Sequence, residues 1–183
     1  SLTLFAVFIV VLLSVSLATV SACSLKRMTV DQTAAVLLDA GRAFDRETDP
    51  ELAAAAIPAS LKTMEGFLEA HPEQPALLRM LAEGYVSYAF GFIEDEAERV
   101  QADSALRAEH LRRRALDYYL RARGFALRLL ALDEPELAAT LAAGRMPAPS
   151  ALAQVTQEAL PALFWTANAW GAAVNMAKDD PAM

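Results

Sequence analysis

From residue 30 onward, apolar positions recur every three or four residues, the period of a helix with one buried face. Over 30–46 the stripe is Val30, Ala34, Leu37, Leu38, Gly41 and Phe44. Asp49-Pro50 then reads as N-cap and first helical residue. An Asp oxygen can accept from the free N–H groups of the first turn, and proline has no N–H to leave unpaired. The helix predicted from there reaches Ala70, with Leu61, Met64, Phe67 and Leu68 on its apolar face. Pro58 lies inside it, and a break or kink is expected there because an interior proline removes a backbone bond and crowds the preceding turn. His71-Pro72 ends the segment, and His71 reads as a helix-terminal residue rather than a ligand.

Pro75 opens a third predicted helix, to Glu98, with Leu77, Leu81, Tyr85, Tyr88 and Phe92 along one face. Gly84, Ser87 and Gly91 flank that face, and such small residues let a neighbouring helix come close. A fourth helix is predicted over 104–132. Leu111, Ala115, Tyr118, Ala122, Phe125 and Leu129 alternate by four and three, the spacing of a bundle seam. A fifth covers 134–143, and "GRMPAPS" at 144–150 is a loop. A short helix starts near Ser150, and a last one runs from Pro161 to Lys178. On this last helix Phe164, Asn168, Gly171 and Asn175 share one face, and Trp165, Ala169, Ala172 and Met176 share the next. The short connection between the third and fourth helices makes them antiparallel. The expected fold class is all-α: antiparallel helical pairs in a degenerate tetratricopeptide-like array. Leu78-x2-Leu81-Ala82-x2-Tyr85 resembles the first half of a tetratricopeptide repeat and Ala115-x3-Tyr119-x2-Ala122 the second, although the gap between them exceeds one repeat.

Composition agrees. Alanine and leucine dominate, and no alternating Val/Ile/Thr run follows residue 30. The net charge of −7 argues against nucleic acid as a partner and against electrostatic docking on anionic lipid. The fourth helix concentrates arginine: Arg107, Arg112, Arg113, Arg114, Arg121, Arg123 and Arg128. Glu94, Asp95, Glu96 and Glu98 close the preceding helix, so antiparallel pairing brings the two sets together. A solvated salt-bridge rim and an anion or partner site both fit, and the rim is the simpler reading.

The N-terminal pattern differs. Leu2 to Ala22 carries no charge, becomes small towards its end and stops at Cys23, the chain's one cysteine. A membrane-spanning anchor is one reading. The small residues before the cysteine instead match a signal segment. Val20-Ser21-Ala22-Cys23 resembles the lipobox of bacterial lipoproteins, which implies acylation of Cys23 and removal of residues 1–22. The remainder, 23–183, is then one helical domain. No basic residue precedes the apolar run, and Asp180-Pro181 repeats the helix-start signature at the other end. Both features raise the expectation that the chain begins within its leader and stops short of further helices.

No catalytic pattern is visible. His71 and His110 lack metal-ligand spacing, and there is no GxSxG, HExxH or phosphate-binding glycine loop. A non-enzymatic binding module without metal or cofactor is therefore expected. Its candidate groove draws on the two segments richest in aromatics, Tyr85, Tyr88 and Phe92 in one and Phe164, Trp165, Asn168 and Trp170 in the other. Aromatics would line such a groove, small neighbours would leave space, and the asparagine would orient a polar group. A filled core is the competing reading.

Two longer stretches carry a more specific resemblance. "LLRMLAEGYVSYAFGFIEDEAE" (77–98) and "ALPALFWTANAWGAAVNMAKDDP" (159–181), with "RRRALDYYLRARGFALRLL" (112–130) between them, resemble the TatT family of tetratricopeptide-like lipoproteins associated with TRAP transporters. The resemblance implies a periplasmic, lipid-anchored accessory subunit that binds the solute-binding protein. It also implies a passage for apolar ligands and, as in some members, a homotrimer. The alternative is a scaffold lipoprotein for envelope or outer-membrane assembly, which genomic neighbours would distinguish.

Overall fold

The computed structural model describes residues 25–178. Within them the chain is helical, with no strand. Helix α1 covers residues 25–44, earlier than the apolar stripe indicates. It docks through Val30 and Ala34, both buried in the common core, with Leu37 packed against them. Helix α2 is Pro50–Ala70. Asp49 caps it as its sequence predicts: Oδ1 accepts from the N–H groups of Glu51 at 2.9 Å and Leu52 at 3.1 Å. Of the break or kink expected at Pro58, the break does not occur: α2 runs through it as one helix. The helix is held beyond the proline by Leu61 and Leu68, which are buried, so packing outweighs the local backbone cost.

Helix α3, Pro75–Tyr88, starts on Gln74, whose buried side chain accepts from the Leu77 N–H at 2.9 Å. The predicted single helix to Glu98 is then interrupted. A π-helical segment, Ala89–Glu94, leads into α4, Asp95–Val100. The wider turn shifts the buried stripe, which continues through Ala89, Ile93 and Ala97. Phe92 becomes half-buried and Phe90 points outward. Of the three small residues expected to admit a neighbour, Gly84 does so: a Cβ there would lie 2.6 Å from Leu61 Cδ2 of α2. Gly91 meets nothing, and Ser87 is exposed.

Helix α5, Ala105–Asp133, is the 29-residue spine, about 43 Å long at 1.5 Å per residue. Ser104 caps it, Oγ accepting from Arg107 N–H at 3.3 Å. Of the seam read from sequence, Leu111, Ala115, Ala122 and Leu129 are buried and Tyr118 and Phe125 half-buried, but α5 buries a second row as well: Ala108, Tyr119, Ala126 and Leu130. It needs both because α3 packs on one side and α8 on the other. Helix α6, Pro135–Ala142, ends in a Schellman turn. Gly144 adopts φ +68°, Arg145 N–H donates to Thr140 O at 3.1 Å, and Gly144 N–H donates to Leu141 O at 3.0 Å. The short α7, Pro149–Leu152, leads to α8, Leu160–Met176. The face of α8 that meets α5 is made of Ala162, Thr166, Ala169 and Ala173, with the Thr166 hydroxyl donating to Ala162 O at 2.8 Å. Small side chains there let the two axes approach closely.

Candidate functional site

Alternating chain direction gives the bundle two ends. The α2–α3 turn and the C-terminus of α5 share one end, and α4, the start of α5 and the end of α8 share the other. Between them α3 and α5 contribute a continuous aromatic cluster. Tyr85 lies 5.4 Å from Tyr118 edge-on and 6.0 Å from Phe125 in a stacked arrangement. Tyr88 lies 5.3 Å from Phe92 and 5.9 Å from Tyr118. The α3 half of the predicted groove, Tyr85, Tyr88 and Phe92, is thus brought together with Tyr118 and Phe125 of the seam.

Arginine side chains border the cluster. Arg121 stands over the Tyr85 ring and donates to its hydroxyl at 3.1 Å, while that hydroxyl donates to Glu65 Oε1 at 2.5 Å. Arg121 also lies 3.4 Å from Glu65, which pairs on its other side with Lys62. Burial pushes the Glu65 carboxyl up, but the hydrogen bonds from Lys62 and Tyr85 and the nearby positive charges outweigh it, so its pKa falls below 4.5. Burial, reinforced by the hydrogen bond to Glu65, pushes the Tyr85 phenol up to about 12. Beside this network Glu65, Leu68, Glu69, Pro72, Arg121, Phe125 and Arg128 line a cleft of about 300 Å³. Arg128 closes it over the α2–α3 turn, donating to Pro72 O at 2.6 Å.

At the other end Tyr119, 0% exposed, donates its hydroxyl to Glu94 in the π-helical segment. Burial first, and then the Glu94 carboxylate, hold that phenol far above its ordinary range. Glu96 pairs with Arg107 at 2.7 Å and with Arg99 at 2.8 Å. Arg112 reaches Gln101, and Arg113 lies 4.0 Å from Glu109. The acidic end of α4 and the arginines of α5 therefore meet, as antiparallel pairing requires. These exposed pairs form a rim worth little each. A second cleft of about 790 Å³ opens there, its charged walls including Glu94, Glu98, Arg112, Arg113 and Lys178.

Helix α8 places its aromatics differently. Phe164 is 56% exposed and meets the half-buried Trp165 edge-on at 5.0 Å. Asn168 lies on the exposed face, its amide donating to Phe164 O of the same helix at 3.0 Å. Trp170 is half-buried beneath Arg123, whose guanidinium carbon lies 4.4 Å from the ring centre. Arg123 also donates to Leu141 O at the end of α6, 2.7 Å away, and so ties α5, α6 and α8 together. Desolvation lowers its pKa. None of the seven predicted groove residues lines either cleft. Sequence reasoning missed Glu65, Tyr119 and Arg123 as organising residues, although Tyr119 had stood out within the repeat-like fragment. His71 caps α2 and also bonds Asp31 of α1, Nδ1 to Oδ1 at 2.9 Å. Among the described residues no group of three His, Cys, Asp or Glu side chains is placed to hold a metal ion. Among them, too, no helix is long and apolar enough to cross a membrane.

The architecture and its charge-bordered aromatic cluster define an all-α protein built on a central spine helix with antiparallel neighbours. Comparison with known families goes further: the family described as TRAP transporter T-component matches residues 46–183. The chain belongs to this family, whose members are accessory components of TRAP transporters. Searches of curated proteins and of solved structures return no match. Cys23 and the apolar run before it lie outside the described residues, as does Asp180-Pro181.

Proposed function

We propose that the chain is a non-enzymatic accessory subunit of a TRAP-type solute-uptake system, held in the periplasm by lipid on Cys23. It binds the system's periplasmic solute-binding protein. The family match over residues 46–183 carries the reading. The lipobox-like order Val20-Ser21-Ala22-Cys23 supports the anchor. Several acyl chains hold a protein on a membrane durably where one does not. Ser24, where many inner-membrane lipoproteins carry Asp, favours the outer membrane. An apolar ligand would be received along the aromatic positions of α3 and α8, Tyr85, Tyr88, Phe92, Phe164, Trp165, Asn168 and Trp170, which requires a passage to open between the helices, since none of the seven lines either cleft. A homotrimer is the assembly the family resemblance favours.

Two measurements test this. Cys23→Ala should abolish acyl labelling and leave the precursor unprocessed, whereas unchanged labelling would place the anchor elsewhere. Affinity purification of the tagged chain from membranes should recover the solute-binding protein encoded beside the TRAP permease. Recovery without that protein would count against the partner.

A further inference from the structure

Helix α1 is already formed at residue 25, and two residues of chain reach at most about 7 Å. The headgroup layer on each side of a bilayer is itself about 5–8 Å thick. If Cys23 carries the acyl anchor, Leu25 is confined to that layer or its edge. The first turn suits the position. Leu25 and Met28 are 62% and 57% exposed, three residues apart on one side of α1, and the exposed Lys26 and Arg27 lie between them. Apolar side chains with adjacent basic groups suit the boundary between acyl chains and anionic headgroups.

The body cannot swing freely on this helix. Val30, about 7.5 Å further along the α1 axis, is already in the core, and Ala34 follows one turn later. Asp31 of α1 bonds His71 at the α2–α3 turn. That turn is fixed in its turn to the C-terminal part of α5 by Arg128 on Pro72 O. We infer, building on the lipid-anchor reading above, that the first turn of α1 lies in the lipid headgroup layer and that the α2–α3 end of the bundle faces the membrane. The opposite end, with α4, the start of α5 and the end of α8, faces away. The smaller cleft, with Leu68, Glu69, Pro72 and Arg128 in its wall, then opens close to the lipid surface. The larger, charge-lined cleft is presented to soluble partners.

The test uses the full acylated chain in vesicles of phosphatidylethanolamine and phosphatidylglycerol, with a contact quencher on the headgroups. A thiol-reactive fluorophore is attached in turn to Met28→Cys, Glu73→Cys and Asp103→Cys, all exposed positions. Residues 73 and 103 mark the two ends, which a run of helix the length of 75–100 separates by about 39 Å. Acylated Cys23 has no free thiol, so the parent chain should take no label. A labelled parent chain would mean that the anchor is absent, and it would overturn the reading on which the orientation rests. With the anchor intact, quenching should be strong at 28, clear at 73 and lost at 103. A flexible Gly-Ser insert of about 20 residues after Cys23, with a mean reach of about 25 Å, should remove the difference between 73 and 103. Equal quenching at 73 and 103 without the insert would overturn the orientation while leaving the anchor standing.

Discussion

Replacing Gly84 by alanine sets two effects of known sign against each other. Alanine in place of glycine inside a helix is worth about 1 kcal/mol through backbone entropy. At this site the new Cβ would stand 2.6 Å from Leu61 Cδ2, where carbon atoms prefer about 3.5–4.0 Å. Leu61 is 2% exposed, so its methyl group has no solvent to move into. Relieving an overlap of about 1 Å in a packed contact costs about 1–3 kcal/mol. Gly84→Ala should therefore lose up to about 2 kcal/mol net. Gly124→Ala in α5 is the control, because a Cβ there meets nothing within 4 Å and should gain about 0.5–1 kcal/mol. Urea denaturation of the parent and both variants reads the difference. Leu61→Ala should cost about 2–5 kcal/mol alone, and adding Gly84→Ala to it should restore stability by filling the space. If Gly84→Ala stabilises as much as Gly124→Ala, α2 does not approach α3 as described and the reasoning fails.

Tyr119→Phe keeps the buried ring but removes the donor to Glu94, and should cost about 1.5–3 kcal/mol; an unchanged denaturation midpoint would show the hydroxyl to be unpaired. The Tyr85 phenol is raised above its unfolded value, so its contribution is complete below pH 10 and is lost as pH rises through about 12. Denaturation at a series of alkaline pH values should show that decline in the parent and a flatter curve in Tyr85→Phe. The lowered Glu65 pKa acts at the other limit: its contribution is present above pH 4.5 and is lost as pH falls below it, so Glu65→Gln should blunt the acid response. Trp165→Ala, at a half-buried site, should lose less than the about 3–5 kcal/mol of a filled core tryptophan and should weaken partner or ligand binding, as should Asn168→Leu. A large stability loss in both with unchanged affinity would remove the proposed groove.

Where α2, α3 and α5 begin was legible because the signal is local. Asp49-Pro50 carries its capping chemistry in the side chain itself and forms the cap expected, while Ser104, read only as the start of a helix, proves to cap it. The α5 seam was legible because its apolar residues are large enough to stand out. Its second buried row, Ala108, Tyr119, Ala126 and Leu130, was not, since two of its four members are alanines that stand out in no apolar pattern. The same holds for α8. Its aromatics drew the eye, but the contact with α5 is made by Ala162, Thr166, Ala169 and Ala173, and Phe164 is left outside. The π-helical segment has no local signature in "AFGFIE". Pro58 gave a clear local warning of a break, which tertiary packing overrode. The candidate site was legible in part. Tyr85, Tyr88 and Phe92 do cluster, but their partners Tyr118, Phe125, Glu65 and Arg121 come from helices whose register only the fold defines.

The proposed function requires this T-component to bind the solute-binding protein of its own transport system. Isothermal titration of the purified chain with that protein, encoded beside the TRAP permease, tests it most directly. Saturable heat with fixed stoichiometry is expected, with a Kd of about 1 μM or tighter, about −8 kcal/mol or more favourable. No saturable heat with the partner at about 1 mM, where even a −4 kcal/mol association would register, would contradict it.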